Sequence, residues 1–222
     1  MLVLGFDTAT PAVSVALHDG ERVIAAAFAV DARRHSELLT PMIAKVLADV
    51  GVARGDLSAI AVGVGPGPYT GLRVGVVTAR VLGSVLGLPV YGVCSLDIIA
   101  ASAASAGSGR EFLVATDARR KEVYWARYDA AGRRVAGPAV GQASSIPGAA
   151  DLAVAGAGGQ LYPEAFGEVI GPAYPDAGVL CGIVARASAA PSPGQPLLLA
   201  VEPLYLRRPD AREPGPPKRV TP

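Results

Sequence analysis

The sequence contains few aromatic residues, few histidines and few cysteines, and each shortage excludes a class of protein. Aromatic residues make up 5% of the 222 residues, so alanine, valine and leucine must fill the core. His18 and His35 are the only histidines, and their separation excludes a His-x-x-x-His site, so we expect no metal site in this chain. Cys94 and Cys181 are too few for a disulfide framework or a zinc cluster, and we expect buried, reduced thiols.

The chain also lacks an excess of charge and any long apolar run. Its net charge is +1 and its pI is near 7.8, without the basic field of a free-standing nucleic-acid-binding protein. No apolar run approaches the roughly 20 residues of a membrane span, and Asp7, Thr8 and Pro11 interrupt the apolar start, which excludes a signal peptide. With 51% hydrophobic residues and a mean hydropathy of +0.39, the composition predicts a globular cytoplasmic protein without membrane contact.

The first half of the chain alternates short apolar runs with helical periodicity. Short apolar runs predict strands over residues 2–6, 13–17, 23–28, 59–64 and 90–93. The spacing of apolar residues predicts helices over residues 36–50, 72–86 and 96–106. The order β-β-β-α-β-α-β-α combines an antiparallel meander with parallel crossovers, which indicates an α/β fold.

A weak internal repeat connects the two halves. The repeated positions are Asp7, Val13 and Asp19 in the first half and Asp117, Val123 and Asp129 in the second, each pair 110 residues apart. Duplication explains this repeat, and so does chance, because such turns are common.

The second half offers fewer predicted elements than the first. After a hairpin over residues 111–116 and 122–128, it shows one further helical pattern, at 178–190. We therefore expect three units: a complete half at 1–106, a reduced half at 107–204, and a proline-rich, extended tail at 205–222.

Residues 65–71, Gly-Pro-Gly-Pro-Tyr-Thr-Gly, join a predicted strand to a predicted helix. Glycine-rich loops in this position can bind a phosphate through backbone N–H groups. Gly71, however, is followed by Leu72 and Arg73 instead of the Lys-Ser/Thr of a P-loop, and the two prolines remove N–H donors. We therefore favour a rigid turn over a phosphate site.

Asp7 and Asp117, each at the end of a predicted strand, are candidates for a vestigial nucleotide site together with Thr8. In a phosphotransferase of this architecture, the two carboxylates would hold a magnesium ion. The alternative is that each aspartate caps its own turn. We favour the alternative, because no other part of a nucleotide pocket is recognisable, and we assign no catalytic residue.

The predicted helix at 72–86 is apolar on nearly all sides, whereas a surface helix normally carries a polar face. Small residues recur on it at Gly75, Ala79 and Gly83. Burial in the core alone would explain this composition, and so would packing against the helix at 36–50 and a second subunit. Our hypothesis takes the second explanation, with a partner interface formed by Leu38, Leu39, Met42, Arg73, Val76, Ala79, Arg80 and Gly83.

Four segments together resemble the bacterial TsaB (YeaZ) family. They are Phe-Asp-Thr-Ala-Thr at 6–10, Arg-His-Ser-Glu-Leu-Leu-Thr-Pro at 34–41, Gly-Pro-Gly-Pro-Tyr-Thr-Gly-Leu-Arg-Val-Gly at 65–75 and Tyr-Leu-Arg-Arg at 205–208. The family's loop usually reads Gly-Pro-Gly-Ser-Phe-Thr-Gly-Leu-Arg, from which Pro68 and Tyr69 depart. The resemblance implies the duplicated, ribonuclease H-like α/β fold of actin and the sugar kinases, with a complete first half and a reduced second half.

The resemblance further implies a subunit that has no catalytic activity of its own. Such a protein binds and supports the enzyme TsaD, which transfers a threonylcarbamoyl group to adenosine 37 of tRNA, with the ATPase TsaE as a third component. Such a protein contacts tRNA only through the complex and leaves ATP and the metal ion to its partners. Our hypothesis adds that the helices at 36–50 and 72–86 form the docking face for TsaD and, in its absence, pair with their own copy as a homodimer. TsaD proteins carry a histidine pair where this chain has Cys94-Ser95-Leu96-Asp97, which agrees with the expected absence of a metal.

Two other functions are weighed against this one. The first is a stand-alone ATP-dependent phosphotransferase of the same fold that uses Asp7 and Asp117. The second is direct RNA binding through Arg33, Arg34 and the basic tail, which the near-neutral net charge disfavours.

Overall fold

The first half of the chain forms a five-stranded sheet. The computed structural model describes residues 1–107, 109–189 and 198–207. In the spatial order β3-β2-β1-β4-β5, the strands are β1 (Val3–Asp7), β2 (Ala12–His18), β3 (Val23–Val30), β4 (Ala59–Gly63) and β5 (Val90–Val93). The β1, β2 and β3 strands are antiparallel neighbours, whereas β1, β4 and β5 run parallel. This is the meander followed by crossovers that the sequence pattern predicts.

Three helices follow strands of this half: α1 (His35–Asp49), α2 (Tyr69–Leu86) and α3 (Ser95–Ser105). The α1 and α2 helices share one core cluster with the sheet, which includes Leu39, Val62 and Leu72. The α2 helix begins three residues earlier than its apolar pattern, directly after Pro68. It ends at Gly87, whose φ of 65° is the left-handed conformation that closes many helices.

The second half forms its own five-stranded sheet, in the order β10-β9-β6-β7-β8. Its strands are β6 (Phe112–Asp117), β7 (Val123–Tyr128), β8 (Arg134–Gly141), β9 (Ala153–Ala155) and β10 (Glu168–Val169). The β6 strand occupies the place of β1, with two antiparallel strands on one side and two parallel strands on the other. The duplicated α/β fold is thereby confirmed, and the sequence repeat reflects two sheets of the same topology.

The second half keeps all five strands of the sheet, two of them shortened, and is reduced mainly in its helices. Two 3-10 turns, Ala143–Ser145 and Ala149–Asp151, stand between β8 and β9, where the first half has the 15 residues of α1. The five-residue α4 (Ala157–Leu161) stands in the place of the 18-residue α2. Sequence analysis missed β8, β9 and β10, because β8 contains glycine and proline and the other two are only three and two residues long.

The last helix, α5 (Ala177–Ala189), returns to the first sheet. Sequence analysis assigned it to the second half, but its Cys181 is packed with Ala16 of β2 in one core cluster. Conversely, Leu96 of α3 packs with Phe112 of the second sheet. The predicted boundary between residues 106 and 107 therefore does not separate two packing units. Both cysteines are buried and unpaired, as expected.

The predicted tail at 205–222 begins inside the folded chain. The Tyr205 ring stacks on that of Tyr69, with centroids 5.4 Å apart. The Arg207 Nη1 donates a hydrogen bond to the Ala118 carbonyl oxygen at 2.9 Å. Residues 208–222, the rest of the predicted tail, lie outside the described residues. Within the part of the chain that the structure describes, no helix is long and apolar enough to span a bilayer.

Candidate functional site

Asp7 lies at the end of β1 in a closed, buried loop. Its Oδ1 accepts a hydrogen bond from the Ala9 N–H at 2.8 Å, and its Oδ2 accepts one from the Ser95 hydroxyl at 2.5 Å. The Ser95 oxygen in turn accepts from the Gly65 N–H at 3.1 Å. A Cβ at Gly63 would lie 1.7 Å from the Asp7 Oδ2, so no space remains above the carboxylate. Burial raises the pKa of Asp7 above its usual 3.8, against the lowering effect of the Ser95 and Ala9 hydrogen bonds.

Thr8 joins this loop to the first turn of α2. Its hydroxyl donates to the Gly71 carbonyl oxygen at 2.7 Å and accepts from the Gly75 N–H at 3.0 Å. A Cβ at Gly75 would lie 2.5 Å from the Thr8 Oγ1, and one at Gly67 would lie 2.1 Å from the Ala9 carbonyl oxygen. These glycines let two backbone segments approach each other closely, which favours the rigid-turn interpretation of the loop over a phosphate site.

Asp117 ends β6 near the surface. Its Oδ1 accepts from the Arg119 N–H at 2.7 Å, and its Oδ2 lies 3.5 Å from the Arg119 Nη1. Arg119, Arg120 and Lys121 have φ angles of 62°, 55° and 61°, a left-handed conformation that is uncommon for residues other than glycine. The guanidinium of Arg207 binds both ends of this basic turn. Asp117 therefore caps its own turn, as Asp7 does.

A small polar cleft lies beside the Thr8 loop, with a volume of about 200 Å³. Its polar lining includes Thr8, Thr10, Arg33, His35 and Arg119. The His35 Nε2 lies 2.7 Å from the Thr10 carbonyl oxygen, so this nitrogen carries the hydrogen and donates it. Among the described residues that line the cleft, neither Asp7 nor Asp117 is present. The cleft therefore brings Thr8 and Arg119 together, but not the two carboxylates.

The small residues of α2 lie on its inner face. Ala79 and Gly83 are buried, Val76 is 2% exposed, and Leu39 of α1 is 1% exposed. A Cβ at Gly83 would lie 2.2 Å from the Val90 Cγ2, so the helix can lie this close to β5 only because Gly83 lacks a side chain. These four predicted interface residues therefore lie in the core of the chain, where their side chains are covered by other residues of the same chain.

The outer face of α2 carries three exposed valines, Val77, Val81 and Val85, which we call the valine stripe. Their exposed fractions are 55%, 54% and 76%. Sequence analysis missed them, although they recur at the same spacing of four as the small residues. They follow those residues by two positions, which is about 200° around a helix. The sequence therefore shows two opposite stripes, without showing which one faces the sheet.

The other predicted interface residues adjoin the valine stripe or lie on α1. Arg73 and Arg80 are exposed on α2, whereas Leu38 and Met42 of α1 are half-buried against the core. The Arg73 Nε donates to the Tyr205 hydroxyl at 3.0 Å, and this hydrogen bond raises the pKa of Arg73. Its guanidinium carbon also lies 4.3 Å from the centroid of the Tyr69 ring. Arg73 is thus held in one orientation by its two aromatic neighbours.

A buried polar cluster occupies the start of α3, where the resemblance implies a histidine pair in TsaD. Burial raises the pKa of the Cys94 thiol to about 12, so it stays protonated at neutral pH. The Tyr128 hydroxyl donates to the Asp97 Oδ1 at 2.7 Å, and the Arg134 Nη1 lies 3.6 Å from the same oxygen. Burial raises the pKa of Asp97, although Arg134 and Tyr128 act to lower it. These side chains connect α3 to the second sheet.

Comparisons with known proteins connect these features to one family. The family model "TsaD: tRNA N6-adenosine threonylcarbamoyltransferase" matches residues 28–161. YeaZ from Pseudomonas aeruginosa, a solved structure, superimposes with a TM-score of 0.78 at 32% sequence identity, covering 92% of this chain and 99% of that one. The chain belongs to the TsaB (YeaZ) family.

Two further relatives of this TsaB-family chain differ in how far they match. A Mycobacterium tuberculosis protein described as uncharacterized is 46% identical over 217 residues, which are 95% of this chain and 93% of that protein. The tRNA threonylcarbamoyladenosine biosynthesis protein TsaB of Escherichia coli is 40% identical over 129 residues, 58% of this chain and 55% of that protein. The resemblance found in the sequence is therefore confirmed at the level of the family.

Proposed function

We propose that this chain is a docking subunit for a TsaD-type enzyme in the synthesis of N6-threonylcarbamoyladenosine in tRNA. The names of its TsaB relatives in Escherichia coli and Bacillus subtilis support the role in tRNA modification. The observation that carries the docking role is the valine stripe, three side chains at least half exposed on a helix whose other face is fully packed. An apolar surface of this kind is typical of a protein interface.

The docking face consists of the valine stripe together with the half-buried Leu38 and Met42 of α1. Since α1 and α2 pack against each other, two helices of a partner can complete a four-helix bundle on this face. The α2 helix contains Arg73 and Arg80 and no acidic residue. A fitting partner is therefore apolar at its centre and acidic at its rim, a better match than the identical, basic face of a second copy.

The stand-alone phosphotransferase is less well supported. It requires the Asp7 carboxylate to bind a cation, whereas both oxygens of this group accept hydrogen bonds from the chain itself. Opening the group to a cation would require Gly63 and Ser95 to move away from it. In the proposal, ATP and the metal ion are instead bound by the partner subunits, TsaE joins the assembly, and tRNA is contacted through the complex in the cytoplasm.

The experiment replaces Val77 and Val81 by lysine and measures binding to TsaD of the same organism by isothermal titration calorimetry. We expect the affinity to fall by about 100-fold or more, because two ammonium groups would lose their water in an apolar interface. Val135→Lys is the matched control, since Val135 is 55% exposed like Val77 but lies on β8. All three side chains are exposed, so both variants should keep the wild-type urea midpoint.

Undiminished TsaD binding by the Val77→Lys/Val81→Lys chain would overturn the proposal, and so would an equal loss in the Val135→Lys chain. Substitutions on the inner face cannot replace this test. Arginine at Ala79 or Gly83 would have to enter the core, and a loss of binding would then report unfolding.

A further inference from the structure

The last described segment of the chain, residues 198–207, runs along the edge of β5 and past the end of β4, and we call it the C-terminal strap. Leu199 exchanges two backbone hydrogen bonds with Gly92 of β5, at 3.2 and 2.8 Å. Further along, the Leu204 N–H donates to the carbonyl oxygen of Val64, directly after β4, at 2.8 Å. These backbone hydrogen bonds place the strap beside the start of α2.

Two tyrosines hold Arg73 where the strap meets α2. Tyr69 lies one turn before Arg73 on α2, and Tyr205 comes from the C-terminal strap. The two rings stack on each other, and Tyr69 is 48% exposed and Tyr205 42% exposed. The Arg73 Nε donates to the Tyr205 hydroxyl, while the guanidinium carbon lies over the Tyr69 ring. An arginine held in this way loses much of its side-chain freedom on folding, before any partner binds.

The guanidinium of Arg73 keeps free donors in this arrangement. A guanidinium has five N–H groups, and in Arg73 only the one on Nε has a hydrogen-bond partner among the described residues. Eight other arginines of the described chain instead form an ion pair with an aspartate or a glutamate. Because Nε is occupied, Nη1 and Nη2 remain as the pair of groups that can bind both oxygens of one carboxylate. Arg73 is therefore oriented without being neutralised.

Arg73 and Tyr69 continue the docking face toward the start of α2. Counting back from the valine stripe in steps of four residues leads from Val77 to Arg73 and then to Tyr69. Each such step turns about 40° around a helix, so these two side chains and the three valines lie within one half of its circumference. A partner that covers the valine stripe therefore also reaches Arg73. It would displace water from the guanidinium, which strengthens the attraction of an opposite charge.

We propose that Arg73 is a preformed receptor for a carboxylate group of the docking partner, and that Tyr205 is the positioning residue that holds it. The inference rests on the proposed function and adds the chemistry at one end of the docking face. Nη1 and Nη2 each donate to one oxygen of an aspartate or glutamate, which lies beside the valine stripe in the complex. Ordering a long side chain opposes binding, and here most of that ordering has already occurred on folding.

A phosphate group of RNA also fits a guanidinium, but the surroundings of Arg73 favour a protein carboxylate. RNA binding depends on several cations along the phosphate backbone, whereas the face continues from Arg73 into Val77, Val81 and Val85, each at least half exposed. These side chains gain by contact with another apolar surface, which a protein offers and a phosphate backbone lacks. An acidic side chain at the edge of an apolar protein surface matches both features.

Calorimetric titration with TsaD of the same organism tests the role of Arg73. Arg73→Ala should lower the affinity at least about tenfold, and Arg73→Lys nearly as much, because an ammonium group cannot bind both carboxylate oxygens in parallel. Arg80→Ala is the matched control. Arg80 has the same charge and is exposed on the same helix, but it has no partner among the described residues, so we expect a loss of less than about threefold. Both arginines are exposed, so all variants should keep the wild-type urea midpoint.

The positioning role of Tyr205 is tested by a double-mutant cycle. Tyr205→Phe keeps the stacked ring and removes only the hydroxyl that binds Arg73. We expect it to weaken TsaD binding about threefold in the wild-type chain and to have no effect in the Arg73→Ala chain, because it acts through Arg73. In the free chain, the NMR signal of the Arg73 Nε–H should be protected from exchange with water, and Tyr205→Phe should remove this protection.

Three results would overturn the proposal. They are an unchanged TsaD affinity with Arg73→Ala, equal losses from Tyr205→Phe in both chains, and a loss with Arg73→Ala of tRNA binding by the complex while TsaD binding stays intact. The third result, measured by filter binding, would assign the guanidinium to a phosphate. The Val77→Lys/Val81→Lys chain separates these outcomes from failure of the docking proposal. If that chain loses TsaD binding and Arg73→Ala does not, the docking face is correct and the carboxylate receptor is wrong.

Discussion

The two aspartate turns, one in each half of the chain, have the same local hydrogen bond in opposite surroundings. Asp7 and Asp117 each accept a hydrogen bond from the N–H two residues later, at 2.8 and 2.7 Å. Asp7 is 1% exposed and also binds the Ser95 hydroxyl. Asp117 lies near the surface and faces the guanidinium of Arg119. The two halves thus share the hydrogen-bonded turn, but they differ in the burial of the aspartate and in the side chains that contact it.

The difference teaches that the carboxylate of the first turn itself connects distant parts of the chain, whereas the second turn reaches the distant Arg207 only through Ala118 and Glu122. Through Ser95, Asp7 is connected to the start of α3, and Thr8 binds the first turns of α2 through two hydrogen bonds. In the second half, the buried hydroxyl of Thr116 has no partner among the described residues. We infer that the carboxylate of Asp7 stabilises the fold, whereas the carboxylate of Asp117 determines the local shape of a surface loop.

The largest expected effect comes from filling the space over Asp7. Gly63→Ala would place a Cβ 1.7 Å from the Asp7 Oδ2 and 2.9 Å from the Ser95 Oγ, so the buried hydrogen bond between them must break. We expect the free energy of unfolding to fall by about 3 kcal/mol in urea titrations. Gly55→Ala is the control, because nothing lies within 4 Å of a Cβ there. A Gly63→Ala chain as stable as the Gly55→Ala chain would show that the turn is not closed.

Removing each carboxylate compares the two turns directly. Asp7→Ala leaves a buried N–H and a buried hydroxyl without an acceptor, and we expect a loss of about 2 kcal/mol. Asp117→Ala exposes its freed N–H to water, so we expect a loss of less than about 1 kcal/mol. Urea unfolding of both variants measures the contrast. Equal losses would mean that burial does not distinguish the two turns.

Local patterns in the sequence were enough to predict most of the first half. The apolar runs and helical spacing gave every strand and helix there, because each element carries its own periodicity. Asp7 and Asp117 were also placed correctly at strand ends, since aspartate and glycine mark turns. The short strands β9 and β10 of the second half were not predicted, because they are too short to show an alternation of apolar and polar residues. They form only because neighbouring strands pair with them.

Contacts between distant residues could not be predicted in the same way. The hydrogen bond from the Ser95 hydroxyl to the Asp7 carboxylate joins residues that are 88 positions apart in the sequence. No sequence pattern near either residue predicts it. The orientation of α2 is a second case, since small residues and valines recur at the same spacing on opposite faces. The close approach of β5 at Gly83 decides which face is buried, and that contact exists only in the folded chain. The valine stripe was therefore missed.

The smallest expected effect is a difference in pH dependence between wild type and Asp7→Asn. Burial raises the pKa of Asp7 in the folded chain above the 3.8 of an ordinary carboxyl group. Protonation of Asp7 therefore stabilises the folded chain; this stabilisation is complete below pH 3.8 and is lost as the pH rises through the raised pKa. Asparagine does not titrate, so the variant should gain stability relative to wild type over that interval. Urea midpoints measured at a series of pH values test this.

Ser95→Ala supplies the check on the cause of that difference. The Ser95 hydroxyl donates to the Asp7 carboxylate, and this bond lowers the pKa that burial raises. Without the hydroxyl, the pKa of Asp7 should rise further, and the pH interval in which stability is lost should move upward. A stability difference between wild type and Asp7→Asn that stays constant with pH would mean that burial does not raise the pKa of Asp7 in the folded chain.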